Sequence, residues 1–306
     1  MRRLCVTALI MASLIAPVWA QRDWSAAELE TFSAVEIAAV RVSDGVYMLA
    51  GSGGNIGLSV GEDGVFIIDD QWAPLSEKIM AAIAEITDAD IEFLVNTHYH
   101  DDHTGGNEAL GAAGALIIAH DNVRARMSTD QFRAIFNHSF PARPAGALPI
   151  VTFSDEMTFH WTGDTIRAIH VAPAHTDGDT ILHFQNANVI HTGDTYLNGL
   201  YPFIDVGSGG DINGIIAAGY RALAIADENT AIIPGHGPLS DAAGLTAWLE
   251  IIKVTRGRMQ SLIDQGMSED EALAARPTAE FDEQFGSGFI SPENYNRLLY
   301  QSLSRN

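Results

Sequence analysis

The sequence predicts an α/β fold in which two mixed β-sheets pack face to face with helices outside. Three observations predict it. Short apolar runs broken by glycine-rich turns recur in two stretches of the chain. Segments with helical spacing follow each stretch. The resulting order, strands, helix, strand, helix, occurs twice, and paired sheets with outer helices accommodate it. No low-complexity linker intervenes, so residues 21–306 read as a single domain, with a core over about 40–240 and C-terminal helices over about 240–306.

Residues 1–20 stand apart. Arg2 and Arg3 give a positive start, Leu4 to Pro17 are almost wholly apolar, and Val18-Trp19-Ala20 offers small residues at the two positions that define a cleavage site. This is the pattern of a secretory signal peptide, and the apolar run is short for a membrane span of roughly 20 residues. The expected location is therefore periplasmic or secreted, with no membrane attachment after removal of the signal. Cys5, the sole cysteine, lies inside this segment, so no thiol is expected to serve as ligand, nucleophile or disulfide partner in the mature chain.

The elements follow in order. Residues 21–37 form a loose helical lead-in. Val42, Val46 to Leu49, Ile56 to Val60 and Val65 to Asp69 are short apolar or alternating runs, a β-meander with glycine turns at 45, 51–54 and 61–64. Leu75, Ile79, Ile83 and Ile86 share one helix face. Ile91 to Val95 is a short buried strand that ends at Asn96-Thr97-His98. A helix near Gly105 to Leu110, a strand at Leu116 to Ile118 and a helix from His120 to Met127 come next. Residues 128–149 hold Phe132, Phe136, Phe140 and three prolines, and read as a long connection, either a cover over a site or a surface loop packed by its own aromatics. A second strand-rich stretch covers 150–153, 157–161, 165–171, 180–184 and 188–191. Ile212 to Ala226 is helical, Thr230 to Ile233 a strand, 240–264 a long helix, and 268–275 and 292–303 shorter ones.

Lys and Arg total 17 against 39 Asp and Glu, a formal net charge of −22. Such a chain repels phosphate backbones, which excludes nucleic-acid processing and leaves a small-molecule substrate as the expected partner.

The densest chemistry is His98-Tyr99-His100-Asp101-Asp102-His103, directly after a buried strand. Imidazole nitrogen and carboxylate oxygen are the ligands zinc takes when sulfur is absent. His98 and His100, two apart, point the same way in extended backbone, while Asp102 and His103 face another direction, so one loop can serve two ions. Three further segments set a ligand-type residue after an apolar strand and beside glycine: His175 before Thr176-Asp177-Gly178, Asp194 after Gly193, and His236 between Gly235 and Gly237. Glycine there permits a sharp turn and close approach.

HYHDDH matches the HxHxDH signature of the metallo-β-lactamase superfamily, and His175, Asp194 and His236 match its remaining ligand motifs in order. The resemblance covers about residues 40–240 and implies an αββα sandwich. It also implies that His98, His100 and His175 hold one metal, that Asp102, His103 and His236 hold a second, and that Asp194 bridges them. Two Zn2+ ions are the expected cofactors, with iron or manganese as alternatives. The bridging aspartate resembles glyoxalase II-like and lactonase-like members rather than true β-lactamases, which place cysteine or serine near that position.

The expected activity is that of a zinc-dependent hydrolase using a metal-bound hydroxide, with Asp102 as proton acceptor. β-Lactam hydrolysis leads, because an exported member meets such compounds. A lactone or thioester hydrolase of the glyoxalase II type is the alternative. An iron-dependent persulfide dioxygenase and a non-enzymatic periplasmic metal-binding accessory are further ones. Tyr196 and Asn198, close after Asp194, are candidate catalytic residues or else loop-packing ones. Asp179 is a candidate partner of a ligand imidazole, Asn55 a candidate cleft residue, and Asp69 a support beneath the metal loop. His120, His138, His160, His170, His183 and His191 lack a partner pattern and read as structural.

Overall fold

In the strands, apolar residues occupy both faces, because each sheet is covered on both sides. A computed structural model describes residues 24–171 and 173–305; the signal-peptide reading falls outside them. The first sheet begins with β1 (Ala38–Ser43), β2 (Val46–Ala50), β3 (Ile56–Gly61) and β4 (Gly64–Ile68), the expected meander, and continues with β5 (Ile91–Asn96) and β6 (Leu116–His120). β7 (Gln131–Arg133) and β8 (His138–Phe140) form a separate two-stranded hairpin, and β9 (Val151–Phe153) then returns to the edge of the first sheet beside β6. The second sheet runs in order through β10 (Glu156–Trp161), β11 (Asp164–His170), β12 (Thr180–Phe184), β13 (Val189–His191), β14 (Ala231–Ile233) and β15 (Ser240–Asp241). Two expectations need correction here. Residues 151–153 belong to the first sheet, and 128–149 contains a hairpin rather than only irregular chain.

Three buried apolar clusters separate four layers. Between the sheets lie Met48, Phe66, Ile68, Val95 and Ile118 of the first sheet and Ile166, Leu182, Phe184 and Ile233 of the second. On the outer side of the first sheet, Val65, Ile67 and Leu94 meet Ile79 and Ile83 of α2 (Ser76–Ala84) and Leu110 of α4 (Asn107–Ala112). α1 (Ala26–Ser33) precedes the first strand and the short α3 (Asp101–Thr104) lies within the histidine-rich loop. α5 (Asp121–Met127) follows β6, and its buried Val123 and Met127 pack with Tyr99 and Ala119. Outside the second sheet, Ile181, Ile190 and Ile232 meet α6 (Ile212–Leu223), α7 (Ala242–Asp264) and α10 (Pro292–Leu303), with α8 (Glu269–Ala274) and α9 (Asp282–Phe285) filling the C-terminal corner. Alternate side chains of one strand thus enter different clusters: Phe66 and Ile68 turn inward between the sheets, Val65 and Ile67 outward to the helices. This is the αββα architecture.

Strand direction explains where the site lies. β4, β5, β6 and β9 are parallel, and so are β13 and β14. β11 and β13 both run antiparallel to β12 and therefore share a direction. The loops that leave β5, β11, β13 and β14 meet where the sheets are stitched together, by Asn55 N–H to Gly235 O (2.7 Å) and Thr180 N–H to Thr97 O (2.9 Å). No helix among the described residues is long and apolar enough to cross a membrane.

Phe66 is fully buried between the sheets, with ring centroids 5.0 Å from Phe159 and 6.3 Å from Phe184. Phe66→Ala is expected to cost about 3–5 kcal/mol in urea unfolding, with an unchanged m-value. A loss under about 1 kcal/mol would mean that this aromatic contact does not hold the sheets together.

Candidate metal centre

The histidine-rich loop is anchored from beneath before it presents any ligand. Asp69, just past β4, adopts left-handed backbone with φ 60°. Its Oδ1 accepts the Thr97 N–H at 2.7 Å, and its Oδ2 accepts the Thr97 hydroxyl at 2.7 Å and lies 2.8 Å from His103 Nδ1. One fully buried carboxylate thus fixes both ends of the loop, as its position before Trp72 led us to expect.

Hydrogen-bond partners assign the imidazole tautomers. His103 Nδ1–H donates to Asp69, His175 Nδ1–H donates to the Phe203 carbonyl at 2.7 Å, and His100 Nε2–H donates to Asp205 Oδ2 at 3.0 Å. His98 Nδ1 lies 3.0 Å from the Thr97 hydroxyl, whose own proton goes to Asp69, so His98 Nδ1 is the donor. The lone pairs left over, on His98 Nε2, His100 Nδ1 and His175 Nε2, face inward, and His103 Nε2 turns inward toward Asp194. His175 Nε2 and His100 Nδ1 are 2.9 Å apart, two acceptors with no proton between them. His98 Nε2 is buried without any partner.

These atoms fall into two groups, His98, His100, His175 and Asp194, and Asp102, His103 and His236, with the donor atoms of each group within 4.8 Å of one another. Asp194 reaches across both. Its Oδ1 is 3.1 Å from His103 Nε2, and its Oδ2 is 3.4 Å from His236 Nε2 and 3.7 Å from His175 Nε2. Buried acceptors converging without donors fit a divalent cation, which satisfies all of them at once.

The electrostatics differ between the groups. Burial, reinforced by His103 and His175, holds His98 well below the usual imidazole range, and burial and Arg133 do the same to His100. Burial would also lower His103 and His236, but carboxylates overturn it: Asp194, Asp102 and Asp69 raise His103, and Asp194 and Asp102 raise His236 to about 9. Burial opposes ionisation of Asp102 and Asp194 too, yet His103 and His236 hold both carboxyls below their ordinary range. Without metal, the second group is therefore an ion-paired cluster that keeps protons at neutral pH.

Two glycines make room. A Cβ on Gly54 would overlap the His103 ring, and one on Gly235 would overlap Asp194 Oδ1. Asn55 does not line the cleft. Its Nδ2 donates to Pro234 O at 2.9 Å and Gly237 O at 2.8 Å, clasping the turn that carries His236.

Above the donors opens a cleft of about 500 Å3 lined by Gly53, Trp72, Arg133, Phe136, His138, Phe140, Phe203 and Phe289, with His100, Asp102, Asp194 and His236 at its base. The hairpin therefore covers the site, which decides between the two readings of residues 128–149.

The metallo-beta-lactamase superfamily model matches residues 49–236. The chain belongs to the metallo-beta-lactamase superfamily. A hydroxyacylglutathione hydrolase of Polaromonas sp. is 26% identical over 220 residues, covering 70% of this chain and 73% of that protein. Another protein of that name, from Nitrosococcus oceani, is 29% identical over 182 residues, covering 56% of this chain and 59% of its own. Among solved structures, a metallo-beta-lactamase from Pontibacter korlensis superposes with a TM-score of 0.59 at 18% identity, covering 71% of this chain and 99% of that one, a likeness of fold.

Within this superfamily fold all seven expected ligand residues come together. The other expected site residues do not. Tyr196 is fully buried and its hydroxyl lies 2.8 Å from Ser240 Oγ, while Asn198 Nδ2 donates to Pro238 O at 3.0 Å; both pack loops and neither lines the cleft. Asp179 accepts from Thr176 N–H and hydroxyl rather than from the His175 ring, whose partner is Phe203 O. His138, expected to be structural, lines the cleft. Asp205 was missed. It holds His100 and also accepts from Tyr99 Oη at 2.7 Å, but no spacing pattern ties residue 205 to residue 100.

Two measurements check this account. Metal uptake by metal-free protein at pH 7 is expected to release protons, detectable as buffer-dependent heats, because His103 and His236 must surrender theirs; uptake without proton release would contradict the raised pKa values. Asp205→Asn is expected to weaken metal affinity about 10–100-fold by loosening the His100 ring. Unchanged affinity in a chelator competition would remove Asp205 from the support of the site.

Proposed function

We propose that this chain is a dinuclear zinc hydrolase of small carbonyl compounds, with opening of a β-lactam ring as the first specific case. The observation that carries the reading is the make-up of the cleft. Its base is formed by donors suited to divalent cations and its lining residues include no Ser, Thr, Cys or Lys, which favours water as the attacking group. Zinc, when bound, supplies a Lewis acid and brings the pKa of water down to about 7.

The chain's own groups do the rest. Asp102, whose side chain is 21% exposed at the base of the cleft and 3.3 Å from His236 Nε2, is positioned to orient water and to hold a proton. Asp69, Asp205 and the Phe203 carbonyl keep the imidazoles turned inward, so little reorganisation accompanies the reaction. A substrate seated between the aromatic walls would displace water there and strengthen the electrostatics at the base.

A second reading, lactone or thioester hydrolysis, is favoured by the placement of Asp194 between the two donor groups and by relatives named hydroxyacylglutathione hydrolases. Export to the periplasm or medium is part of the proposal and rests on residues 1–20 alone.

Zinc-loaded protein assayed against a carbapenem, a cephalosporin, a lactone and a thioester tests both. β-Lactam turnover is expected, falling by more than about 100-fold in His100→Ala, since even outer-shell substitutions at metal sites cost 10–100-fold. Turnover of lactone or thioester with β-lactams untouched would replace the first reading by the second. A single tightly held iron in metal analysis would redirect the assignment to a dioxygenase.

A further inference from the structure

We infer that the hairpin Gln131–Phe140 makes the cleft selective for carbonyl substrates whose flanking group is uncharged and aromatic, and that Arg133 is the positioning residue that seats it. The inference rests on the hydrolase reading and names its substrate class.

Five aromatic rings surround the mouth: Trp72, Phe136, Phe140, Phe203 and Phe289. Phe136 on the hairpin packs edge-on to Phe203 at 5.4 Å, and Phe289 lies 5.1 Å from the His236 ring. Phe136 and Phe289 are 42% and 46% exposed, large apolar surface left wet beside polar donors. A planar apolar group entering between them removes that surface from water and meets ring edges and faces on several sides.

A charged flank finds few counterparts. Among the lining residues Arg133 is the only Lys or Arg; its Nη2 is engaged by Asp101, its Nε is buried without a partner, and His138 is the one other basic group on the wall. The Arg133 guanidinium donates to Asp101 Oδ2 at 3.1 Å and lies 3.9 Å from the Phe140 ring centroid and 5.2 Å from that of Tyr99, with the side chain 6% exposed. Arg143 also binds Asp101. A substrate carboxylate in this wall would be desolvated among aromatic rings and would have to share Arg133 with Asp101 or rely on His138. Glutathione carries two carboxylates, so the wall separates this chain from the relatives named for glutathione thioesters.

The same guanidinium fastens the hairpin. Asp101 sits between His100 and Asp102 in the metal-binding loop, and Arg133 ends β7. The Arg133–Asp101 bond therefore sets the aromatic wall at a fixed height above the donors, and the stack on Phe140 and Tyr99 holds its plane.

The test uses zinc-loaded protein and three thioesters of one thiol, with phenylacetyl, acetyl and succinyl groups. Phenylacetyl is expected to exceed acetyl by about tenfold or more in kcat/KM, through KM, with succinyl lowest. The double variant Phe136→Ala, Phe140→Ala is expected to lose most of that preference, while Phe132→Ala, on the same hairpin but outside the cleft lining, keeps it. Arg133→Met is expected to raise KM for phenylacetyl at unchanged metal content, and Arg133→Lys to restore part of it. Calorimetric titration with phenylacetate and succinate gives a readout independent of turnover, with phenylacetate binding tighter in the wild type and not in the double variant. Succinyl preferred, equal binding of the two acids, or a preference that survives the double substitution would overturn the inference. Selective phenylacetate binding in a protein that turns over no thioester, lactone or β-lactam would uphold it while removing the hydrolase reading.

Discussion

Imidazole lone pairs aimed at one another in a dry interior repel, and the rest of this structure is organised around that repulsion. His98, His100, His103 and His175 each turn one nitrogen inward because the other is held by a hydroxyl, a carboxylate or a carbonyl. The holders come from three segments: Asp69 after β4, Thr97 after β5, and Phe203 with Asp205 after β13. The two sheets must pack tightly at this edge for the holders to reach the rings. Layer packing, strand direction and ligand geometry are in this sense one problem: a shift of one sheet against the other would separate donors that must lie within a few ångströms.

The ligand residues were legible in the sequence because chemistry and local pattern coincide there. HYHDDH packs five potential ligands after a buried strand, and His175, Asp194 and His236 each stand beside glycine in a loop that follows an apolar strand. Asp69 was legible through the family resemblance, which implies an aspartate beneath the metal loop at this position. The meander and the outer helices followed from period alone. What proximity in sequence suggested for Tyr196, Asn198 and Asp179 did not hold, because each side chain finds a nearer backbone or hydroxyl partner in its own or an adjoining loop. Asp205, Arg133 and the placement of β9 depend on contacts between segments far apart in the chain, and no periodicity encodes those. Residues 128–149 lie between. Their aromatics announced a function, but whether they packed on themselves or over a neighbour was a tertiary question.

Two kinds of wall meet at the cleft. The base is polar, pre-oriented and held by buried carboxylates, whereas the sides are rings contributed largely by an inserted hairpin and by the segment before α10. Superfamily membership accounts for the base. Of the rings on the sides, Trp72, Phe136, Phe140 and Phe203 lie within the family-matched residues 49–236, and Phe289 lies beyond them. The donor loop and the aromatic hairpin are joined through Asp101 and Arg133.

The donor set contains nitrogen and oxygen and no sulfur, and the only cysteine of the chain lies at position 5. A thiolate ligand can be driven to sulfenic and then sulfinic acid, or captured in a mixed disulfide, and in either case it releases its metal. Carboxylates and imidazoles offer peroxide no such route. The protein's own donors in this centre are accordingly closed to thiol oxidation.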